Sequence, residues 1–261
     1  MFTTHRDAHG DKFEPQTLKD FADQVESAYL PLWTDHDPRI PPHGRVIDAY
    51  VERMQGEELA LIGVVEEFER GPRPPLDTTR EMKIDHLPVD LLIGVDRSYR
   101  DKRSQALLND LVAILGVPVR PESKKALEPL SVLTLAAKAS LGGIAAGFAA
   151  RLGEDLYEQV KKKLALLLAR RRAKNDDFVF RYRAEIVVSG HVVEIDFLAT
   201  APTEAQINRI FKSHLAIADA KLMDYLPKHA EVRRVVFDAG GAELKFLYPI
   251  RSDVYPILDE P

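Results

Sequence analysis

The chain has 261 residues, 45% hydrophobic and 30% charged, with a net charge of −5 and no cysteine. This is the composition of a globular protein long enough to bury a core without covalent staples. It excludes a disulfide framework and thiolate catalysis, and the negative balance gives no global argument for nucleic-acid binding.

The opening MFTTHRDAHGDKFEP lacks both the basic leader and the apolar core of a signal peptide. With no cysteine to protect, a cytoplasmic location is expected. Residues 1–16 are polar and read as a mobile N-terminus. Leu18, Phe21, Ala22 and Val25 then recur at helical spacing, with Thr17 as the cap. Tyr29–Trp33 is extended and leads into HDPRIPPHGRV, His36–Val46. Arg45–Arg53 and Leu59–Phe68 read as paired strands joined through Gln55-Gly56. Both are apolar on both parities, so they are expected to be covered on two sides, with Trp33 filling the core between them.

GPRPP at Gly71–Pro75 marks a loop. Met82–Asp85 and Val89–Val95 are further strands, and Gln105–Leu115 a helix with a broad apolar face. The proline-rich run Pro118–Leu130 reads as a linker. It divides a β-rich α+β domain (17–117) from a second domain (131–261).

Ser131–Ala150, SVLTLAAKASLGGIAAGFAA, reads as a small-residue helix with Gly143 and Gly147 at a spacing that permits close helix contact. Lys138 interrupts it, and Ala139–Ala150 is too short to span a bilayer, so a buried or self-associating helix is expected. The following helix, within Glu154–Lys174, is the most cationic stretch. Lys161, Lys162, Lys163, Arg170, Arg171 and Arg172 form either a solvated face or a surface for an acidic partner, anionic lipid or nucleic acid.

In FVFRYRAEIVV and HVVEIDFL strict alternation around Ser189-Gly190 predicts a hairpin. Thr203-x-x-Gln206 is a capping box that opens a helix with an apolar stripe from Ile207 to Tyr225, and Pro227 stops it. Val232–Phe237 and Glu243–Tyr248 form a second hairpin. The fold class is therefore α+β. The expected architecture is a small, mostly-β N-terminal domain with a helix, then a C-terminal α-ββ-α-ββ antiparallel sheet with helices on one face. Arg181, Arg183, Glu185, Glu194, Asp196 and Lys245 share the opposite face. Their mixed signs point to cross-strand pairs.

HDPRIPPHGRV supports three readings. Its prolines and Gly44 make a rigid turn. Asp35, His36, Asp37 and His43 are metal-capable residues, yet no second His/Cys pair with recognisable spacing accompanies them, and no metal or cofactor is expected. Finally, LPLWTDHDPRIPPHGRV followed by ELALIGVVEEF resembles the first part of the prohead (capsid maturation) proteases of tailed phages, over Leu30–Glu69. That resemblance implies a catalytic base at His36. The family's serine-bearing Glu-Ile/Val-Ser-hydrophobic run has no counterpart; Ser98, in LLIGVDRSYRDKRS, is the nearest serine.

The leading expectation is a non-enzymatic interaction or regulatory protein that self-associates or binds a protein partner. A serine hydrolase using His36 and Ser98, and a membrane-perturbing effector using residues 131–174, are the alternatives from other classes.

Overall fold

In a computed structural model of the chain, the structure describes residues 2–4, 13–54, 56, 58–69, 71–84, 91–95, 101–117, 119–121, 131–139, 143–144, 158–170, 173 and 178–258. The fold is α+β. The chain divides into two compact units, Met1–Lys83 with Ile250–Ile257, and Ile84–Pro249 with Leu258–Pro261.

The first unit is built on a five-stranded sheet of order β1-β4-β3-β2-β5. Its strands are β1 (Phe2–Thr3), β2 (Ala28–Leu32), β3 (Gly44–Arg53), β4 (Leu59–Glu67) and β5 (Glu81–Met82). Helix α1 (Pro15–Ser27) starts two residues earlier than the expected Thr17 cap, with Pro15 in the first turn, where its missing N–H costs no intrahelical bond. Leu18 and Val25 of α1 pack on Ala49 of β3 and Leu61 of β4, and Phe21, Val46 and Val51 close the cluster. The 3.6-residue stripe of the helix thus meets one face of the sheet.

Three expectations change here. Phe2 and Thr3 are paired with Leu61 and Ala60, so the extreme N-terminus begins as a strand. The far half of β4 is not covered on two sides: Gly63–Glu67 are all exposed, Val64 and Val65 among them. Trp33 is only half-buried and lies outside the core cluster of Leu18, Val25, Ala49 and Leu61.

The second unit carries a seven-stranded sheet of order β12-β11-β10-β9-β8-β6-β7. The strands are β6 (Leu91–Val95), β7 (Val119–Pro121), β8 (Ser131–Lys138), β9 (Phe178–Val188), β10 (His191–Thr200), β11 (Val232–Asp238) and β12 (Lys245–Arg251). The helices are α2 (Lys102–Leu115), α3 (158–170), α4 (Glu204–Arg209) and α5 (Leu215–Tyr225). A π-helical turn, Ile210–His214, joins the last two.

The β9–β10 hairpin is as the alternation predicts. Ten residue pairs are in register, and Ser189 and Gly190 both take the positive φ that a tight two-residue turn requires. The capping box is also present: the Gln206 N–H donates to Thr203 Oγ1, and the Thr203 N–H donates to Gln206 Oε1 at 2.7 Å.

The expected antiparallel sheet is instead mixed. β6 pairs β7 in parallel, β8 pairs β9 in parallel and β10 pairs β11 in parallel. Each of these connections contains a helix, and a strand followed by a crossover helix returns parallel to itself. A second correction concerns Ser131–Ala150. Ser131–Lys138 is not the start of a helix but strand β8, inside the sheet between β6 and β9, with Val132–Ala137 buried. A strand covered on both faces reads as an unbroken apolar run, and its Leu-Ala composition resembles that of a helix. Of the remainder, only Ala139, Gly143 and Ile144 are among the described residues. The expected 118–130 linker falls inside this unit: β7 lies within that stretch, and β6, before it, shares a sheet with β8, after it.

The helix-facing side of this sheet is aromatic. Phe211 of the π turn meets Tyr182 edge-on at 5.4 Å, Tyr182 lies 5.8 Å from Phe197, and Phe197 stacks on Phe237 at 5.5 Å. On the other side the expected cross-strand pairs form, and they are buried. Arg183 donates to Asp196 at 2.9 Å and to Glu194 at 2.7 Å, and Arg234 also pairs with Glu194. Glu194 and Asp196 are 0% and 1% exposed. Buried carboxylates persist only where cations and hydrogen bonds compensate them, which this lattice provides.

Candidate binding groove

The motif run places its chemistry differently from the sequence reading. Asp35 and His36 both adopt positive φ in a short 3-10 turn, and both are exposed. Asp37 is buried and grips its own loop: its carboxylate accepts the Arg39 N–H at 2.9 Å and the Arg39 guanidinium at 2.7 Å. His43 is exposed, and its Nδ1 lies 3.3 Å from the Thr34 hydroxyl. Among the described residues no group of three or more His, Cys, Asp or Glu is positioned to hold a metal ion. Ser98 lies outside the described residues.

Two residues of the same run that sequence reasoning assigned only to the turn and the strand carry the structure. Gly44 lies against β4 so closely that an added Cβ would stand 2.5 Å from the Glu66 carbonyl oxygen. Only glycine allows that approach. Arg45 follows, on β3, and its buried guanidinium is a hub. Nε donates to Glu66 Oε2 at 2.7 Å, Nη2 to Asp77 Oδ2 at 2.9 Å and Nη1 to the Asp253 carbonyl at 3.2 Å. The guanidinium also lies over the Tyr29 ring, 3.9 Å from its centroid.

Asp77 is the second node. It accepts from the Tyr29 hydroxyl at 2.6 Å and from the Thr79 hydroxyl at 2.7 Å, and its own N–H donates to Asp253 Oδ2 at 3.1 Å. The hydrogen bonds from Tyr29 and Thr79, with the Arg45 cation beside them, hold the Asp77 carboxyl well below the usual carboxylate range. Asp253 is the third node, clasped by the Arg251 guanidinium. Arg251 also donates to the Pro74 and Pro75 carbonyls at 3.0 and 3.3 Å, pinning the proline loop. Prolines donate no N–H of their own, so their exposed carbonyls are the handles left for such a clasp.

These nodes form the floor of a groove of about 600 Å³. Its wall continues through Glu67, Phe68, Glu69 and Pro72, and Tyr255 closes it, with Phe68 at 4.7 Å between ring centroids. Among the described residues, Glu66, Glu67, Glu69, Asp77 and Asp253 supply five carboxylates to this lining, against the single guanidinium of Arg45. Nothing in the sequence pattern flags the groove, because its parts lie at positions 45, 66–77 and 253–255. The one local signal is Arg45, a basic residue that opens the apolar start of strand β3.

The basic stretch also resolves into pairs. Lys161 binds Glu158 at 2.6 Å, Lys163 binds Asp110 of α2 at 2.5 Å, and Arg170 binds Asp101 at 2.6 Å. Lys162 is exposed; Arg171 and Arg172 lie outside the described residues. Among the described residues no helix is long and apolar enough to cross a membrane.

The fold defines the class, an α+β protein of two units with a charged groove in the first. No family model, curated protein or solved structure matches the chain.

Proposed function

We propose that this is a non-enzymatic interaction protein whose first unit presents the Arg45–Asp77–Asp253 groove to a protein partner. The observation that carries the reading is the state of the groove's floor. Its ionised groups are committed to one another, Arg45 to Glu66 and Asp77, Arg251 to Asp253. A catalytic acid or base needs a proton it can exchange near neutral pH. A carboxylate held deeply ionised, as Asp77 is, suits a rigid recognition surface instead.

The test is in-cell crosslinking with mass spectrometry, comparing wild type with the exposed-rim variant Glu67→Lys/Glu69→Lys. A protein partner crosslinked to residues 66–77 in wild type, and lost in the folded variant, is the expected result. A fluorophosphonate probe that labels the wild type and fails on His36→Ala would overturn it, because it would reveal an activated serine.

A further inference from the structure

The geometry points to an arginine side chain, on a basic segment of the partner, as the occupant of this groove. The inference rests on the interaction reading above and names the chemistry of the partner. Among the described lining residues Arg45 is the only cation, and it is already engaged by Glu66 and Asp77. Glu67 and Glu69 flank Phe68 at the rim, are both exposed, and form no ion pair among the described residues. Among its described residues the lining therefore carries more negative than positive charge.

That excess is not arranged for a metal ion, since no three acids converge among the described residues. At about 600 Å³ the space is that of a site for an organic group. Carboxylates and an aromatic ring in one lining suit a planar guanidinium, which can stack on a ring and donate in plane to an acid. A lysine ammonium does only the second. The same unit already accommodates guanidinium groups in this way: Arg45 and Arg80 lie 3.9 and 4.6 Å from the centroid of Tyr29, and Arg251 lies 5.3 Å from that of Tyr255. Charge complementarity favours a basic peptide over nucleic acid or anionic lipid at this face.

The experiment is fluorescence anisotropy on the full chain with fluorescein-labelled hexaarginine, and with hexalysine and hexaglutamate as comparators. Three proteins are titrated: wild type, Glu67→Gln/Glu69→Gln, and Asp20→Asn/Asp23→Asn, which removes the same charge from α1. The expected result is hexaarginine binding stronger than hexalysine, none for hexaglutamate, and at least a tenfold loss confined to the Glu67/Glu69 variant. Equal losses in both variants would mean diffuse charge attraction and overturn the proposal. So would no hexaarginine binding at low salt, or a preference for hexalysine. None of those outcomes touches the crosslinking test, which reads a partner whatever its charge.

Discussion

Arg45 and Asp77 are 32 positions apart and meet at 2.9 Å, with the Tyr29 ring beneath the guanidinium and the Tyr29 hydroxyl on the same carboxylate. Three segments of the first unit are tied through this pair. Arg45→Met removes the cation while keeping most of the stem and takes the Arg45 donors away from Glu66, Asp77 and the Asp253 carbonyl. A loss of about 1–3 kcal/mol is expected, the range for partly buried hydrogen bonds to charged groups. Trp33 is the only tryptophan and belongs to the first unit, so its fluorescence in urea reads this unit selectively. An unchanged midpoint would show that the network contributes nothing to stability.

Gly44→Ala tests the close approach of β3 to β4. The new methyl would meet the Glu66 carbonyl oxygen at 2.5 Å, against backbone that cannot step aside. Overpacking of this kind costs about 1–3 kcal/mol. It should lower the urea midpoint of the Trp33 signal and displace Glu66 from Arg45.

The two units should respond to acid differently. His214 is 1% exposed, its Nδ1 has no hydrogen-bond partner, and its Nε2 lies 3.4 Å from the Gly241 carbonyl. Burial, assisted by Arg209, pushes the imidazole below its ordinary value against the opposing pull of the Gly241 carbonyl and Asp238. A base whose folded value is depressed takes up its proton more readily when unfolded. The second unit therefore loses stability as the pH falls below about 6.5, the ordinary imidazole value. Asp77 is a depressed carboxyl, so its contribution to the first unit is complete above the unfolded value, about 3.9, and is lost only as the pH falls below that. Hydrogen exchange between pH 7 and 4 should show loosening around 206–241 while residues 44–77 stay protected. His214→Phe should flatten the first response.

The buried lattice of the second unit predicts strong non-additivity. Burial alone would raise the Asp196 carboxyl, yet the neighbouring Arg183, Arg181 and Arg234 hold it below the usual range. Asp196→Ala leaves cations buried without their anion and should cost about 3–5 kcal/mol. Adding Arg183→Met should recover part of that loss rather than add to it. Thermal unfolding of the two single variants and the double variant closes the cycle.

Local patterns were legible in the sequence and long-range ones were not. The β9–β10 hairpin was legible because alternation and the Ser189-Gly190 turn agree, and α4 because Thr203 and Gln206 sit one helical turn apart. Strand β8 was misread as helix, because burial on both faces erases the period of two. The mixed sheet followed from crossovers whose helices were recognised but not connected. In the motif run, His36 is the residue whose chemistry is familiar from its type alone. The run's structural weight falls on Gly44 and Arg45, whose partners lie 21 to 208 positions further along the chain and leave no local trace.

The most direct measurement is hydrogen–deuterium exchange of the full chain with and without saturating hexaarginine. The account predicts new protection confined to residues 66–77 and 251–255, absent in Glu67→Gln/Glu69→Gln. Protection elsewhere, or the same protection in the variant, would contradict it.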